Sequence, residues 1–90
     1  MKIAISSDSS NLNAGVAQRF GISHYLIIVD TGTMEIEAIP NPGAAAKAAA
    51  GVQAVVIAIS KEVDTVLTGY CSPTAMKYLR DNGIEVVTGV

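Results

Sequence analysis

The stretch Tyr25-Leu26-Ile27-Ile28-Val29 decides the fold, because it is a continuous apolar run of strand-forming residues. Such a run is typical of a central strand that is covered on both faces of its sheet. The turn sequence Asp30-Thr31-Gly32-Thr33 follows it, and Met34 to Ile39 then alternates apolar and charged residues. A period of two predicts a half-buried outer strand, so the two segments should form an antiparallel hairpin that ends at Pro40 and Pro42.

One strand precedes this hairpin, and helices and strands alternate after it. Lys2 to Ser6 predicts a first strand, Val63 to Thr68 a fourth, and Ile84 to Val87 a fifth. The order is strand, loop, hairpin, helix, strand, helix, strand. It predicts an α/β fold in which two β-α-β crossovers make part of the sheet parallel.

Two helices are predicted from different signals. From Gly51 onward, apolar residues recur at helical spacing and predict one apolar stripe that faces the core. The residues of this stripe are Val52, Val55, Val56 and Ile59. The second helix is predicted from its start, with Ser72 as the N-cap and Pro73 at the first helical position.

The composition is that of one small domain with a well-supplied core. The chain has 90 residues, of which 50% are hydrophobic, and a formal net charge of -2. This charge excludes a strongly basic nucleic-acid surface. The one cysteine excludes an internal disulfide and fits a reducing compartment. No secretion signal is visible, because Lys2–Ile5 runs straight into polar Ser6–Ser10, and the apolar-rich stretch Gly43–Ile59 is too weak for a membrane span. We therefore expect a single cytoplasmic domain over residues 1–90, without nucleic acid or membrane as partner.

The loops beyond the parallel strands are the predicted binding surface. In open α/β sheets, ligands sit outside the carboxyl ends of the parallel strands. These ends are Ser6-Ser7-Asp8 after the first strand and Gly69-Tyr70-Cys71-Ser72-Pro73 after the fourth. The second loop leads into a helix N-terminus, where backbone N–H groups and the helix dipole favour an anion. Gly69 would let the backbone approach such a ligand closely.

Four side chains near these loops have both a binding and a structural interpretation. Cys71 at a helix N-terminus can have a lowered pKa and bind metal, or it can pack as a small apolar residue. His24 can be a surface residue, a cap or a metal ligand, but alone it cannot complete a zinc site. Arg19 can hold an anion through its planar guanidinium, or be solvated. Phe20 is interpreted as a core anchor rather than a stacking platform.

No recognisable catalytic constellation is present. Asp8 and Asp30 follow strands that run in opposite directions, and Asp64 begins its strand, so these carboxylates are not expected to converge. The sequence also lacks a Ser-His-Asp spacing, a GxGxxG or Walker loop, and a CxxC pair. The sequence therefore favours a protein that is not an enzyme.

Several segments in a fixed order resemble one family along nearly the whole chain. They are Arg19-Phe20-Gly21, Tyr25 to Asp30, Ile39-Pro40-Asn41-Pro42, Gly51-Val52, Thr68 to Ala75, Leu79, and Asn82 to Val86. This pattern resembles the dinitrogenase iron–molybdenum cofactor-binding family, also called the NifX/NafY-like domain. The resemblance implies a ribonuclease H-like α/β domain with a five-stranded mixed sheet. It also implies that the protein binds or carries iron–molybdenum cofactor, its precursors or other metal–sulfur clusters without catalysis, which relates it to nitrogen fixation.

The sequence departs from the family pattern at the positions that matter most for binding. Many relatives have His directly before Phe-Gly, where this chain has Arg19, and another His where this chain has alanines and Lys47. Ser72 replaces the usual Gly before Pro73, whereas Cys71 falls where some relatives also have Cys. An arginine can attract an anionic cluster but does not coordinate metal in the ordinary way.

The residues and the resemblance together give the predicted site. The cofactor-binding residues are Arg19, Phe20, Gly21, Lys47, Gly69, Cys71 and Ser72, and the metal ligands are Cys71 and His24. The first hypothesis is a non-catalytic carrier of an anionic metal–sulfur cofactor, with cofactor-assembly or acceptor proteins as partners. The alternative is a cofactor-free protein-interaction module that uses Gly43–Ala50. A small-molecule enzyme that uses the same crevice is the least favoured reading, since no acid and base pair supports it.

Overall fold

The computed structural model describes residues 1–10, 16, 20–21, 23–41 and 50–89. Its elements follow the predicted order of strands and helices. In chain order they are β1 (Lys2–Ser7), β2 (Tyr25–Asp30), β3 (Ile36–Pro40), α1 (Ala50–Ser60), β4 (Thr65–Leu67), α2 (Pro73–Asp81) and β5 (Glu85–Val87).

The strands form one five-stranded mixed sheet in the order β3-β2-β1-β4-β5. β2 pairs antiparallel with both β1 and β3, whereas the pairs β1–β4 and β4–β5 are parallel. α1 connects the edge strand β3 to β4, and α2 connects the neighbours β4 and β5. The predicted α/β fold, with its antiparallel hairpin and two β-α-β crossovers, is confirmed. Because β1 and β4 are parallel neighbours, their carboxyl ends lie side by side.

β2 is buried on both faces of the sheet, as its apolar run predicts. Leu26, Ile27 and Ile28 are all buried, and successive side chains of a strand point to opposite faces. Leu26 and Ile28 belong to the core cluster that α1 and α2 share with the sheet. β2 therefore contributes apolar surface to both sides of the domain.

The hairpin is shorter on its second strand than the alternation predicts. β3 begins at Ile36, not at Met34, because Met34 has the left-handed φ of 62°. Its N–H donates to the Asp30 carbonyl at 2.7 Å, and the Asp30 carboxylate accepts from the Gly32 N–H at 2.9 Å. These bonds belong to a turn, so the local bonding of Asp30 removes Met34 from the strand.

The predicted core face of α1 is wrong. Val55 is buried, at 4% exposure, but Val52 and Val56 are 50% and 57% exposed, and Ile59 is exposed as well. The buried face consists of Ala54, Val55 and Ala58. α1 contains no charged residue, and its polar side chains are Gln53 and Ser60, so apolar residues cover most of its circumference and periodicity does not identify the buried side. The three residues of the buried face belong to the core cluster, which leaves Val52, Val56 and Ile59 outside it.

α2 follows its prediction closely. The Ser72 hydroxyl accepts from the Ala75 N–H at 3.2 Å, and Pro73 is the first helical residue. Ala75 and Leu79 are buried against the core, with Met76 packed beside them. The helix ends at Asp81, shortly before Gly83, which has a φ of 75°. Neither described helix is long and apolar enough to span a membrane.

Two adjacent valines of α1 test which face of the helix is buried. Val55→Ala removes buried methyl groups and leaves a cavity, so it should lower the free energy of unfolding by roughly 1.5–3 kcal/mol. Val56→Ala removes the same atoms from the exposed side and should change stability by less than about 0.5 kcal/mol. Urea denaturation followed by circular dichroism measures both. Equal losses for the two variants would contradict the packing of α1 described above.

Candidate functional site

Two loops that are distant in sequence meet at the carboxyl ends of β1 and β4. The Phe20 N–H donates to the Tyr70 carbonyl at 2.9 Å, which ties Phe20-Gly21 to the loop between β4 and α2. The Phe20 side chain is fully buried in the core, as its interpretation as a core anchor predicts. We call Phe20-Gly21 and Gly69–Ser72 the paired loops. The structure therefore brings together two of the segments that the sequence marks as a binding surface.

A buried pair of hydroxyl groups lies beneath the paired loops. The Ser6 hydroxyl at the end of β1 donates to the Thr68 hydroxyl at 2.8 Å. Thr68 in turn donates to the Tyr70 carbonyl at 3.3 Å, the same carbonyl that accepts from Phe20. Both hydroxyl side chains are fully buried. The two parallel strand ends are thus connected to the loops by a short chain of hydrogen bonds.

Sequence reasoning missed two buried polar residues at this end, Ser23 and Asn41. The Asn41 side chain donates to the carbonyls of Ser23 at 2.9 Å and Gly21 at 3.3 Å. The Ser23 hydroxyl lies 3.2 Å from the carbonyl oxygens of both Phe20 and Tyr25. In the sequence, Asn41 stands out only as part of the segment Ile39-Pro40-Asn41-Pro42. Nothing in one sequence indicates that its amide reaches a segment twenty residues away.

Cys71 lies in the core and not on the surface of its loop. Its side chain is 4% exposed and packs within the hydrophobic cluster. Burial raises the pKa of the Cys71 thiol above its ordinary value, and the nearby Arg80 guanidinium offsets this only in part. The direction is opposite to the lowered pKa that a helix N-terminus alone would favour. In the structure described, Cys71 is therefore a neutral thiol with limited access to solvent.

The N–H groups at the start of α2 are largely occupied. Pro73 has no N–H, the Ala75 N–H is bonded to the Ser72 hydroxyl, and the Met76 N–H donates to the Ser72 carbonyl at 2.9 Å. The Gly69 carbonyl accepts from the Gly89 N–H at 3.0 Å. Ser72 thus serves as the predicted N-cap. The helix dipole still favours an anion at this end. However, few backbone N–H groups remain there to donate hydrogen bonds to an anion.

His24 is exposed at the start of β2. Its Nδ1 atom lies 3.5 Å from the Asp8 carboxylate, and the two side chains are 68% and 70% exposed. The Asn41 N–H donates to the His24 carbonyl at 2.9 Å, so the backbone of His24 is held while its imidazole faces solvent. Within the described ranges, no three side chains of His, Cys, Asp or Glu come together as a metal site.

Two predicted cationic contacts, Arg19 and Lys47, lie outside the described residues, as do residues 43–49 of the predicted interaction segment. Of the predicted site, the structure thus places Phe20, Gly21, Gly69, Cys71 and Ser72 in or beside the paired loops, with His24 at the same end of the sheet.

The aspartates are divided between the two ends of the sheet, as the strand directions predict. Asp8 follows β1 at the end where the paired loops lie. Asp30 ends the antiparallel β2 and caps the hairpin turn, and Asp64 accepts from the Lys2 N–H at 2.9 Å at the opposite end. That opposite end also contains a surface hollow of about 210 Å³, lined by Lys2, Asp30 and the ion pair Lys61–Glu37 among others. Because an ion pair lines this hollow, the hollow does not resemble the surface that is predicted to bind the cofactor.

A comparison with protein-family models identifies the family of this chain. The family model described as dinitrogenase iron-molybdenum cofactor matches residues 1–90. The chain belongs to this family. The resemblance drawn from the sequence pattern is therefore confirmed for the whole chain. No protein of curated function matches the sequence at a significant level.

Solved structures show the same fold. The apo form of the orange protein from Desulfovibrio gigas superposes with a TM-score of 0.89 at 31% identity, over 98% of this chain and 74% of that one. The protein PH0822 gives 0.82 at 26% identity, over 100% and 79% of the two chains. A putative NifB protein from Thermotoga gives 0.76 at 24% identity, over 94% and 72%; at this identity it supports the fold alone.

The protonation of Cys71 can be tested by alkylation. Because the thiol is buried and its pKa is raised, iodoacetamide should modify the native protein slowly at neutral pH, since only the thiolate reacts. The rate should rise with pH only above the ordinary range for cysteine. Mass spectrometry of timed samples measures it, and the urea-unfolded chain is the reference. Native and unfolded chains that react at equal rates near neutral pH would contradict the burial of this thiol.

Proposed function

We propose that this chain is a non-catalytic binding or carrier protein for an anionic metal–sulfur cofactor of the iron–molybdenum type. The observation that carries the proposal is the hydrogen bond between Phe20 and Tyr70, which assembles the paired loops at the carboxyl ends of two parallel strands. Ligands of open α/β sheets bind at this position. Membership of the dinitrogenase iron-molybdenum cofactor family supports the class of ligand.

The donor set of the described residues fits a preassembled cluster better than a bare metal ion. A structural metal site needs about four ligands, whereas no three of the usual ligating side chains meet in the part of the chain described. One thiol, Cys71, and one imidazole, His24, are available at this end. A preassembled cluster satisfies most of its own metal valences internally, so one or two protein ligands and nearby cations can hold it.

Each part of the proposed site has a distinct task. The His24 imidazole is exposed and can coordinate without rearrangement of its backbone, which the Asn41 N–H holds. Cys71 must lose its proton and turn out of the core to act as a ligand, so its binding should release a proton and cost packing energy. Arg19 and Lys47 would supply positive charge to an anionic cargo.

No catalytic step is needed for this function. Asp8 lies at one end of the sheet and Asp30 and Asp64 lie at the other, and burial raises the pKa of the Cys71 thiol. These features suit a protein that holds a cargo and hands it on. The partners of such a carrier would be proteins that assemble the cofactor or accept it.

Cofactor uptake tests the proposal directly. The wild-type chain, mixed without oxygen with isolated iron–molybdenum cofactor and passed through gel filtration, should retain molybdenum and iron and show a cofactor absorbance band. Arg19→Ala combined with Cys71→Ser should weaken binding by roughly tenfold or more for each lost contact of about 1.4 kcal/mol. Elemental analysis and absorbance titration measure the change.

The control for this experiment is Lys77→Ala, which removes an exposed cation of α2 that pairs with Asp81 at 3.6 Å. This variant should bind the cofactor as the wild type does, because losing a surface ion pair changes the stability of the folded protein little. Uptake that is unchanged in the double variant would show that the site is misplaced. A wild-type chain that retains no metal would refute the carrier function itself.

The exposed stripe of α1 favours a second candidate, a cofactor-free protein-interaction module. An apolar helix face is normally buried, yet Val52, Val56 and Ile59 of α1 are exposed. Variants of Val56 and Cys71 distinguish the two functions. If the second is right, Val56→Lys should abolish capture of a partner from lysate, while Cys71→Ser should leave capture unchanged. If the first is right, Val56→Lys should leave cofactor uptake intact.

A further inference from the structure

Buried polar side chains are concentrated at the end of the sheet that carries the paired loops. Those that are almost fully enclosed there are Ser6, Ser7, Ser23, Asn41 and Thr68. Burying such groups costs free energy unless each finds a partner. Among the described residues, no buried side-chain nitrogen or oxygen lacks one. The core is therefore apolar under the helices and hydrogen-bonded under the loops.

Asn41 makes the most extensive of these connections. It is 4% exposed and follows β3 directly. Its side-chain amide donates to the carbonyls of Ser23 and Gly21, at 2.9 and 3.3 Å. Its backbone N–H donates to the His24 carbonyl at 2.9 Å. One residue from the hairpin thus bonds backbone carbonyls along the segment that joins Gly21 to β2.

The same segment is held from its other side by the β4–α2 loop. The Tyr70 carbonyl accepts from the Phe20 N–H at 2.9 Å and from the Thr68 hydroxyl at 3.3 Å. The backbone at Phe20-Gly21 and Ser23-His24 is consequently fixed between β3 and β4. A loop that is ordered before its ligand arrives loses less conformational entropy on binding, and this increases affinity.

We infer that Asn41 is a positioning residue for the candidate site. It does not touch the cargo; its amide fixes the carbonyls of Gly21 and Ser23, and thereby sets where the backbone presents His24. This inference rests on the proposed function for its effect on binding. Its structural part, the immobilisation of the segment, stands on the hydrogen bonds alone.

Asn41→Asp is the sharpest variant, because it keeps the shape of the side chain and replaces the donating NH₂ group by a carboxylate oxygen that faces two carbonyls. The matched control is Asn82→Asp, which changes an exposed asparagine whose amide donates to the Tyr78 carbonyl at 2.8 Å. Asn41→Ala serves as a second variant that removes the donor without adding a charge.

Two readouts separate immobilisation from binding. Amide hydrogen exchange at Phe20 and at residue 41, whose N–H groups donate to the carbonyls of Tyr70 and His24, should accelerate by roughly tenfold or more in the Asn41 variants, as expected for the loss of a buried hydrogen bond. Amides in the centre of α2 should be unchanged. Titration with isolated iron–molybdenum cofactor should show an affinity about tenfold lower, with an unchanged absorbance band at saturation. The Asn82→Asp protein should match the wild type in both readouts.

The outcomes are distinguishable. If exchange of the segment is unchanged in folded Asn41 variants, the inference is wrong whether or not the cofactor binds. If exchange accelerates but affinity does not fall, Asn41 does not position the site, and the inference is again wrong. If the wild type binds no cofactor, the proposed function fails, while exchange still decides the immobilisation. If neither variant folds, the wild-type protein decides: a Phe20 amide that exchanges as fast as an unstructured one would overturn the inference.

Discussion

The hydrogen bond from the Phe20 N–H to the Tyr70 carbonyl is the constraint on which the functional end of this domain depends. It joins two loops that lie far apart in the sequence, because Phe20 precedes β2 and Tyr70 follows β4. The buried Phe20 ring anchors one partner in the core, and the hydrogen bond from Thr68 supports the other. The relative position of the paired loops is therefore determined by the core beneath them.

The same core explains why the chemistry of Cys71 differs from what its position suggests. A thiol at a helix N-terminus gains from the dipole only if its thiolate remains hydrated or paired. Here the side chain is enclosed by apolar neighbours, and desolvation outweighs the attraction of Arg80. At the same time Ser72 and Pro73 leave few free N–H groups at the start of α2. The loop between β4 and α2 thus uses its hydrogen-bonding groups to begin α2. A ligand at this loop must bind without displacing them.

Sequence patterns predicted most of the fold and less of the site. The apolar run of β2, the alternation in β3 and the cap at Ser72 each reflect local rules, and the structure follows them. The predictions fail where the same local sequence pattern is compatible with more than one structure. On α1 an uncharged helix offers several apolar faces, and Ala54 and Ala58, not Val52 and Val56, are buried. Met34 is predicted in a strand because alternation does not reveal that the turn at Asp30 extends to the Met34 N–H.

The sequence by itself determined the order of strands and helices, the starting point of α2 and the family to which the chain belongs. These depend on side-chain size, period and capping, which act over a few residues. Only the tertiary structure decided that Phe20 contacts Tyr70, that Asn41 bonds to Gly21 and Ser23, and that Cys71 is enclosed. Such features depend on which distant backbone groups meet when the sheet closes around its core. A buried polar group must find whatever partner that packing places within reach.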